Sequence, residues 1–434
     1  MKKKRRLKKR VKLFFCILFI IFLIILFKYL YIKKLDIEEE SAIIDNYYIY
    51  GQYLSLEGSL DDIDISYDKI DLVLYNGKFK KYKIVVTKES DTIKFSLDKK
   101  INRGIYLDNI NKGKYCLFIR IGYLNKDESS DEKKVYDYKY YKLDNKSKYD
   151  ETVYYTVSQY DKKIVINSNN SYSTLMFNVS NNNDKDIYDI VIDPGHGGVD
   201  SGTSNGNYNE SDIVMDISKR IAKGLENNGF RVKLTRGINS LDSDEYFEEY
   251  NAGGRAVISH EVYAKYVFSI HVNSSDSSKV KGVELYTASG INYEFAKLLI
   301  NDIVDSDLIS VSSKSLYKID DGIYTHNFSE EEIDNALIGY DNKGYKRYNI
   351  TSDSNYLYMI RETGGIMTGA YVDDSNPDTV GVNPYYDSNI GAEAYLLELG
   401  YLTNDSDLKV LTKNSNKYAD TIAYSISNYL KSKQ

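Results

Sequence analysis

The chain has 434 residues, 42% of them apolar, enough for two or three domains with cores of their own, which excludes a disordered tail. Of its 57 Lys and Arg, 12 precede residue 35, where no Asp or Glu occurs, so the remainder carries 45 basic against 63 acidic side chains, a formal charge of −18. So acidic a body excludes nucleic-acid binding by phosphate neutralisation, and its two cysteines, Cys16 and Cys116, supply neither a Cys-rich metal site nor a disulfide framework.

Residues 1–12 (MKKKRRLKKRVK) form a basic tail. Leu13–Phe27 is uninterruptedly apolar, and the character runs on to Ile32 past Lys28. At about 1.5 Å per residue such a helix reaches the roughly 30 Å of a bilayer core, so 13–32 predicts a transmembrane signal anchor. The positive-inside rule then keeps the tail in the cytoplasm and puts the rest outside, the topology of a single-pass cell-membrane protein. A cleaved signal peptide needs a small-residue site after the apolar run, which here ends in FKYLYIKKLD. Residues 33–45 are charged, lack an apolar period, and read as a stalk.

From 46 to 180 the sequence is a series of short β-branched and tyrosine-rich runs, among them IDLVLYN, TIKFSL, KYCLFIRIGYL and KKIVIN, separated by turn-forming stretches. This spacing predicts a smaller all-β, sandwich-like domain. It contains no histidine, so its expected role is a spacer or a docking module for the wall or for an activating, divisome or wall-binding protein. Its tyrosines suit a glycan-stacking face, but with 44 in the chain they are no specific signal.

The pattern changes at 186. IYDIVID reads as a buried strand, and in SDIVMDISKRIAKGLENNG the residues Ile213, Ile217, Ile221 and Leu225 recur at helical spacing before Gly229. FRVKLTR, KYVFSIHV and GVELYT read as strands, a stretch around Arg255 to Tyr263 and INYEFAKLLINDIVDSD as helices. Such alternation predicts an α/β domain over 186–434 with a mixed or parallel sheet flanked by helices.

All four histidines lie beyond residue 195, and His196 and His271 each end a predicted strand. Strand ends are where an open α/β sheet brings side chains onto a ligand. Glu210 opens the helix that follows the first of them. A single histidine at a strand end is more often a packed residue, and a lone glutamate there more often steadies a helix N-terminus. Together, two imidazoles and a carboxylate suit a catalytic zinc with one position left for water. His260 and Glu261 begin like HExxH, but Ala264 stands where the second histidine belongs, and His326 falls in no pattern.

IDPGHGGVDSG at 192–202, Glu210, VKLTR at 232–236, Arg255, SIHVN at 269–273 and LLELGYLTN at 396–404 resemble, in order and spacing, the motifs of the amidase-3 type zinc-dependent N-acetylmuramoyl-L-alanine amidases. The resemblance covers roughly Tyr188 to Leu430. It implies one zinc ion held by His196, Glu210 and His271, with Glu398 as catalytic carboxylate and peptidoglycan as substrate. Asp193 is then a candidate support for the turn or an imidazole, Asn273 a candidate donor to the substrate, and Arg255 a candidate for an ion pair or substrate contact. About thirty residues separate YLYMIRET from the strand bearing Glu398, more than the family pattern has. The stretch 364–391 is read as an insertion controlling access, beside which Arg361 and Glu362 are candidates for peptide contact. The rival readings are a zinc peptidase acting within the stem peptide and a non-catalytic wall-binding scaffold.

Overall fold

In TIKFSL the side chains of Ile93, Phe95 and Leu97 are buried and those between them are not, the period of two that a half-buried strand requires. Repetition of that pattern builds a large sheet in the first part of the chain. The computed structural model describes residues 35–98, 104–130, 133–169, 174–184, 187–236, 254–288, 291, 293–343, 355, 357, 359–360, 363, 385 and 388–432. The strands before residue 182 are β1 (Ile37–Tyr50), β2 (Tyr53–Leu60), β3 (Lys69–Tyr75), β4 (Phe79–Tyr82), β5 (Val85–Glu89), β6 (Thr92–Leu97) and β7 (Ile105–Tyr106), then β8 (Gly113–Leu124), β9 (Tyr136–Asn145), β10 (Glu151–Tyr155), β11 (Lys162–Asn169) and β12 (Thr174–Asn181). Their order is β10-β11-β12-β8-β9-β1-β2-β6-β5, with the hairpin β3–β4 attached to β8 and β7 attached to β2. Its main core buries Tyr47, Leu54, Leu72, Leu117, Ile164 and Phe177, and a smaller cluster of Val73, Phe118 and Tyr140 is buried apart from it.

Several expectations need correction here. Among the described residues no helix is long and apolar enough to cross a membrane, which overturns a fold preceded by a transmembrane helix and the single-pass membrane location with it. The stretch that prompted both, 13–32, lies outside the described residues. Much of the expected stalk is strand. β1 opens at Ile37 and pairs with β9 through Ser41, Ala42, Ile43 and Ile44, where Ala42 and Ile44 point into the core. Its charged residues occupy the outward positions, and this alternation was hidden by the run of glutamates. The β unit is also one hydrogen-bonded sheet that accepts a late strand, β21 (Ile390–Gly391), parallel to β1.

The second unit starts with β13 (Ile190–Pro194), every residue of which is buried. A short hairpin of β14 (Ser204–Asn205) and β15 (Tyr208–Asn209) leads into α1 (Glu210–Asn227). Then come β16 (Val232–Leu234), α2 (Ile258–Glu261), β17 (Tyr266–Asn273), β18 (Glu284–Thr287), α3 (Glu294–Asp305), β19 (Lys318–Asp320), β20 (Ile323–Tyr324), α4 (Glu330–Lys343), β22 (Glu393–Tyr401), α5 (Asp405–Lys413) and α6 (Ser415–Ser432). The sheet order is β16-β13-β17-β22-β18-β20-β19. Its pairs are parallel from β16 to β22, and β18 then runs antiparallel to β22, so the sheet is mixed. Ile213, Ile217, Ile221 and Leu225 of α1 meet Tyr418, Ile422 and Ile426 of α6 on one face, the stripe that a 3.6-residue period predicts.

The two units meet through buried polar groups. Tyr266 donates to Gln52 at 2.8 Å, and Gln52 donates to Asp108 at 2.5 Å. Burial pushes the Asp108 carboxyl up to about 6 even though Tyr154 also donates to it, and burial pushes the Lys265 amine down to about 8. Asp189 accepts from the Arg231 backbone at 2.8 Å, from its guanidinium at 2.7 Å, and from the backbone of Ser158 across the boundary at 3.0 Å.

Asp189→Ala removes the buried acceptor of these three donors and should lower the unfolding free energy by about 3 kcal/mol. Asp216→Ala, which removes an exposed i,i+4 pair with Arg220, should change it by less than about 1 kcal/mol. Urea titration of both variants checks the contrast.

Candidate active site

The carboxyl ends of β13, β17 and β22 converge on one place. β13 delivers His196 two residues after Pro194, on a turn that holds the histidine at φ 56, the left-handed region that non-glycine residues seldom occupy. Gly202 is required at φ 62 because a side chain there would run into Glu210 and the His196 ring. Gly195 gives room to His271, whose ring fills the space a methyl group would need.

Glu210, the first residue of α1, joins the two imidazoles. Its Oε2 lies 3.2 Å from His196 Nε2 and its Oε1 lies 3.2 Å from His271 Nδ1. Two backbone N–H groups fix the carboxylate: Thr203 donates to Oε2 at 3.1 Å and Val272 to Oε1 at 2.8 Å. Ligand atoms of His196, Glu210 and His271 all lie within 4.8 Å of one another, a spacing suited to a shared metal ion. The second nitrogen of His196, Nδ1, is 2.6 Å from Asp200 Oδ2, and Asp200 is itself held by the Gly202 N–H at 2.8 Å.

Burial works against a charged His196, but its bonds to Glu210 and Asp200 prevail and raise it to about 9. Burial likewise works against a charged Glu210, yet both imidazoles hold its carboxyl far below the usual range.

Glu398 lies in β22 beside His271 of β17 and opposite Glu284 of β18. Its Oε2 is sealed from solvent and has no hydrogen-bond partner among the described residues. Burial, then the charges of Glu210 and Glu284, push its carboxyl up from 4.5 to about 8. Glu284 is fully buried and well partnered: Tyr401 donates to it, as do Tyr286 at 2.9 Å and Asn273 at 3.4 Å, with the Lys314 amine 3.5 Å away.

The remaining expected residues support the site from outside it. Asp193 is fully buried but reaches neither imidazole. It accepts from Thr235 and Ser269, each at 2.6 Å, and lies 3.3 Å from Arg255. Arg255 also donates to the His196 carbonyl at 2.8 Å, and Asn273 faces Glu284. His260 stacks on Tyr385 and His326 on Tyr317, both away from the cluster. Arg361, Glu362 and most of the 364–391 stretch lie outside the described residues. Sequence reasoning missed Asp200, four residues after His196 within the glycine-rich turn, and Glu284, a lone acid in an otherwise apolar strand.

An α/β sheet that brings two imidazoles, a carboxylate and a second, buried carboxyl to one place offers the class of site on which metal-dependent hydrolysis is built. The N-acetylmuramoyl-L-alanine amidase family, Amidase_3, matches residues 190–430, more than half of the chain and all of these side chains. The chain belongs to that family. It is 27% identical over 241 residues to the probable N-acetylmuramoyl-L-alanine amidase AmiB of Haemophilus influenzae, a match covering 55% of this chain and 50% of that one. Over 113 residues it is 32% identical to AmiA of Escherichia coli, covering 25% of this chain and 36% of the relative. The chain thus spans half the length, or less, of these two relatives. The solved structure of the amidase AmiC2 of Nostoc punctiforme aligns at 25% identity and a TM-score of 0.36, covering 57% of this chain and 98% of that one.

The raised groups fix the sign of a pH dependence. His196 binds its proton more tightly folded than unfolded, so the stability it contributes is complete below about 6.5 and is lost as pH rises through 9. Glu398 acts in the same direction between 4.5 and 8, because its folded form retains the proton that the unfolded chain gives up. The metal-free chain should therefore melt at progressively lower temperature as pH rises through these windows, and His196→Ala should flatten the upper part. Thermal melts in chelator across the pH range measure both.

Proposed function

We propose that this chain hydrolyses the amide between the lactyl group of N-acetylmuramic acid and L-alanine in peptidoglycan, freeing stem peptides from glycan strands. The observation that carries the reading is that the family span contains one cluster of His196, Glu210 and His271 with Glu398 in register beside it. Two nitrogens and one carboxylate oxygen are the donor set of a catalytic zinc, and they fit that ion better than the all-oxygen preference of calcium or magnesium. In this reading His196, Glu210 and His271 hold the zinc, which when bound acidifies a water and polarises the scissile carbonyl.

The chain's own residues do the rest. Asp200, on His196 Nδ1, keeps Nε2 turned to the cluster and fixes the tautomer. Glu398 is the proton carrier. A carboxyl whose pKa is lifted towards neutrality can take a proton from water and return it to the leaving nitrogen, whereas an ordinary glutamate holds protons too weakly to return one. The leaving L-alanine nitrogen departs as an amine once Glu398 has protonated it. Glu284, braced by two tyrosines and Lys314, keeps a second negative charge behind Glu398 and sustains that lift. The substrate class places the work at the cell wall.

Digestion of purified peptidoglycan should expose new L-alanine amino groups, detected by mass spectrometry of the products. Glu398→Gln should keep bound zinc and lose about 10²- to 10⁴-fold in rate, while His271→Ala should lose the zinc as well. Newly freed stem-peptide carboxylates would instead identify a peptidase, and equal rates for Glu398→Gln and the parent chain would remove Glu398 from its role.

A further inference from the structure

We propose that the turn joining β1 to β2, made of Tyr50, Gly51 and Gln52, positions the catalytic strands for the hydrolysis proposed above, so that residues outside the family span 190–430 help to set its rate. The reaction rests on that reading; the grip on the strands is a feature of the fold.

The parallel strands β17 and β22 pair in regular register from Tyr266 and Glu393 to His271 and Glu398, and the register shifts beyond that point. The last regular pair therefore bears a proposed metal ligand and the proposed proton carrier. The first pair is the one the β unit holds. Tyr266 donates to Gln52 Oε1 at 2.8 Å. Gly51, at φ 60, lies so close to Glu393 that a Cβ there would come within 2.6 Å of Glu393 Oε1. The Ala394 N–H is directed at the Tyr50 hydroxyl at 3.4 Å, and Tyr50 is buried with Val267, Ala394 and Leu396 of these same strands.

The turn is itself fixed. Gln52 is fully buried, and its amide nitrogen donates to Tyr106 at 3.1 Å and to Asp108 at 2.5 Å, which leaves Oε1 aimed at Tyr266. The chain entering β22 is held as well. β9 pairs with β1 only as far as Ile44, and β21 takes up the edge beyond it. There Ile49 donates to the Asn389 carbonyl at 2.7 Å and Gly51 to the Gly391 carbonyl at 2.8 Å, while the Asn389 side chain reaches Thr152 of β10 at 2.6 Å. Both strands of the catalytic pair thus start from one turn of the β unit.

Glu398 has particular need of such a base. Its Oε2 has no hydrogen-bond partner among the described residues, so the place of this carboxyl is set by the strand that carries it. A misplacement of about 1 Å from a change far from the chemistry can lower a rate by about 10²-fold. The turn sits at the opposite end of the strands from the site and touches no substrate there. Its loosening therefore acts on kcat and spares KM.

The test compares turnover of soluble peptidoglycan fragments by the full zinc-loaded chain with that of Tyr266→Phe, Gly51→Ala and Ser158→Ala. Ser158→Ala also removes a bond of 2.8 Å across the boundary, but one that ends on the Gly229 carbonyl before β16 and grips neither catalytic strand. Tyr266→Phe and Gly51→Ala should each lower kcat at least about 5-fold, with KM and bound zinc unchanged. Amide hydrogen exchange over residues 394–399 of the metal-free chain should quicken in both, whereas Ser158→Ala should match the parent in rate and exchange. Tyr266→Phe loses a single hydroxyl and decides the matter alone if Gly51→Ala does not fold. Unchanged kcat or exchange in Tyr266→Phe, a rise in KM in place of the fall in kcat, or an equal fall in Ser158→Ala would each overturn the proposal. Every new terminus counts as turnover. A parent chain that frees stem-peptide carboxylates in place of L-alanine amino groups sinks the amidase reading alone, equal rates for the parent and Tyr266→Phe sink the grip alone, and no new termini from the parent sink both.

Discussion

One carboxylate bridging two imidazoles organises the catalytic unit. Glu210 is only 4% exposed, and a buried charge of that kind persists only where it is fully paired. Its two oxygens each receive an imidazole nitrogen and a backbone N–H, so none of its capacity is left over for water. The position at the start of α1 adds the partial positive charge of a helix N-terminus. α1 is in turn clamped by α6 through a stripe of isoleucines, so the placement of one side chain is inherited from the packing of two eighteen-residue helices.

The turn that carries His196 shows what this placement costs locally. A left-handed histidine is unfavourable by about 1 kcal/mol or more, and the surroundings must over-determine it. They do so from three sides. Arg255 and Arg236 bond the carbonyls of His196, Pro194 and Gly195, Asp193 locks Arg255 and two hydroxyls, and Asp200 closes the turn on the ring itself. Asp193 acts on the imidazole only through this frame, and for that reason its position in the sequence next to the turn misleads about its contact.

How much of this was legible depended on the range of the interactions. Motifs within a few residues of a strand end brought His196, Glu210 and His271 together, because β13 and β17 are adjacent parallel strands and both offer their carboxyl ends. The α/β alternation was readable in the same way, from the local periods of two and 3.6. Glu284 was not. Its significance comes from lying opposite Glu398 across an antiparallel pair, and strands 114 residues apart in sequence reveal no register. β1 failed for a different reason: glutamates on its exposed face masked a buried alternation that only its partner β9 discloses. The strand β21, contributed to the β sheet from beyond residue 389, has just two residues and no pattern to detect.

Three carboxylates, Glu210, Glu284 and Glu398, share the end of this sheet, and they cannot all be charged at once at neutral pH without compensation. The fold resolves the conflict unequally. Glu210 is given imidazoles and N–H groups, Glu284 is given two phenols, an amide and an ammonium, and Glu398 is given no hydrogen bond at Oε2. The fold thereby raises the proton affinity of Glu398. The charges of Glu210 and His196 act on that affinity in opposite directions, the first raising it and the second lowering it. In the proposed reaction, a proton shuttle at Glu398 would therefore respond to the charge carried by the histidine–glutamate cluster.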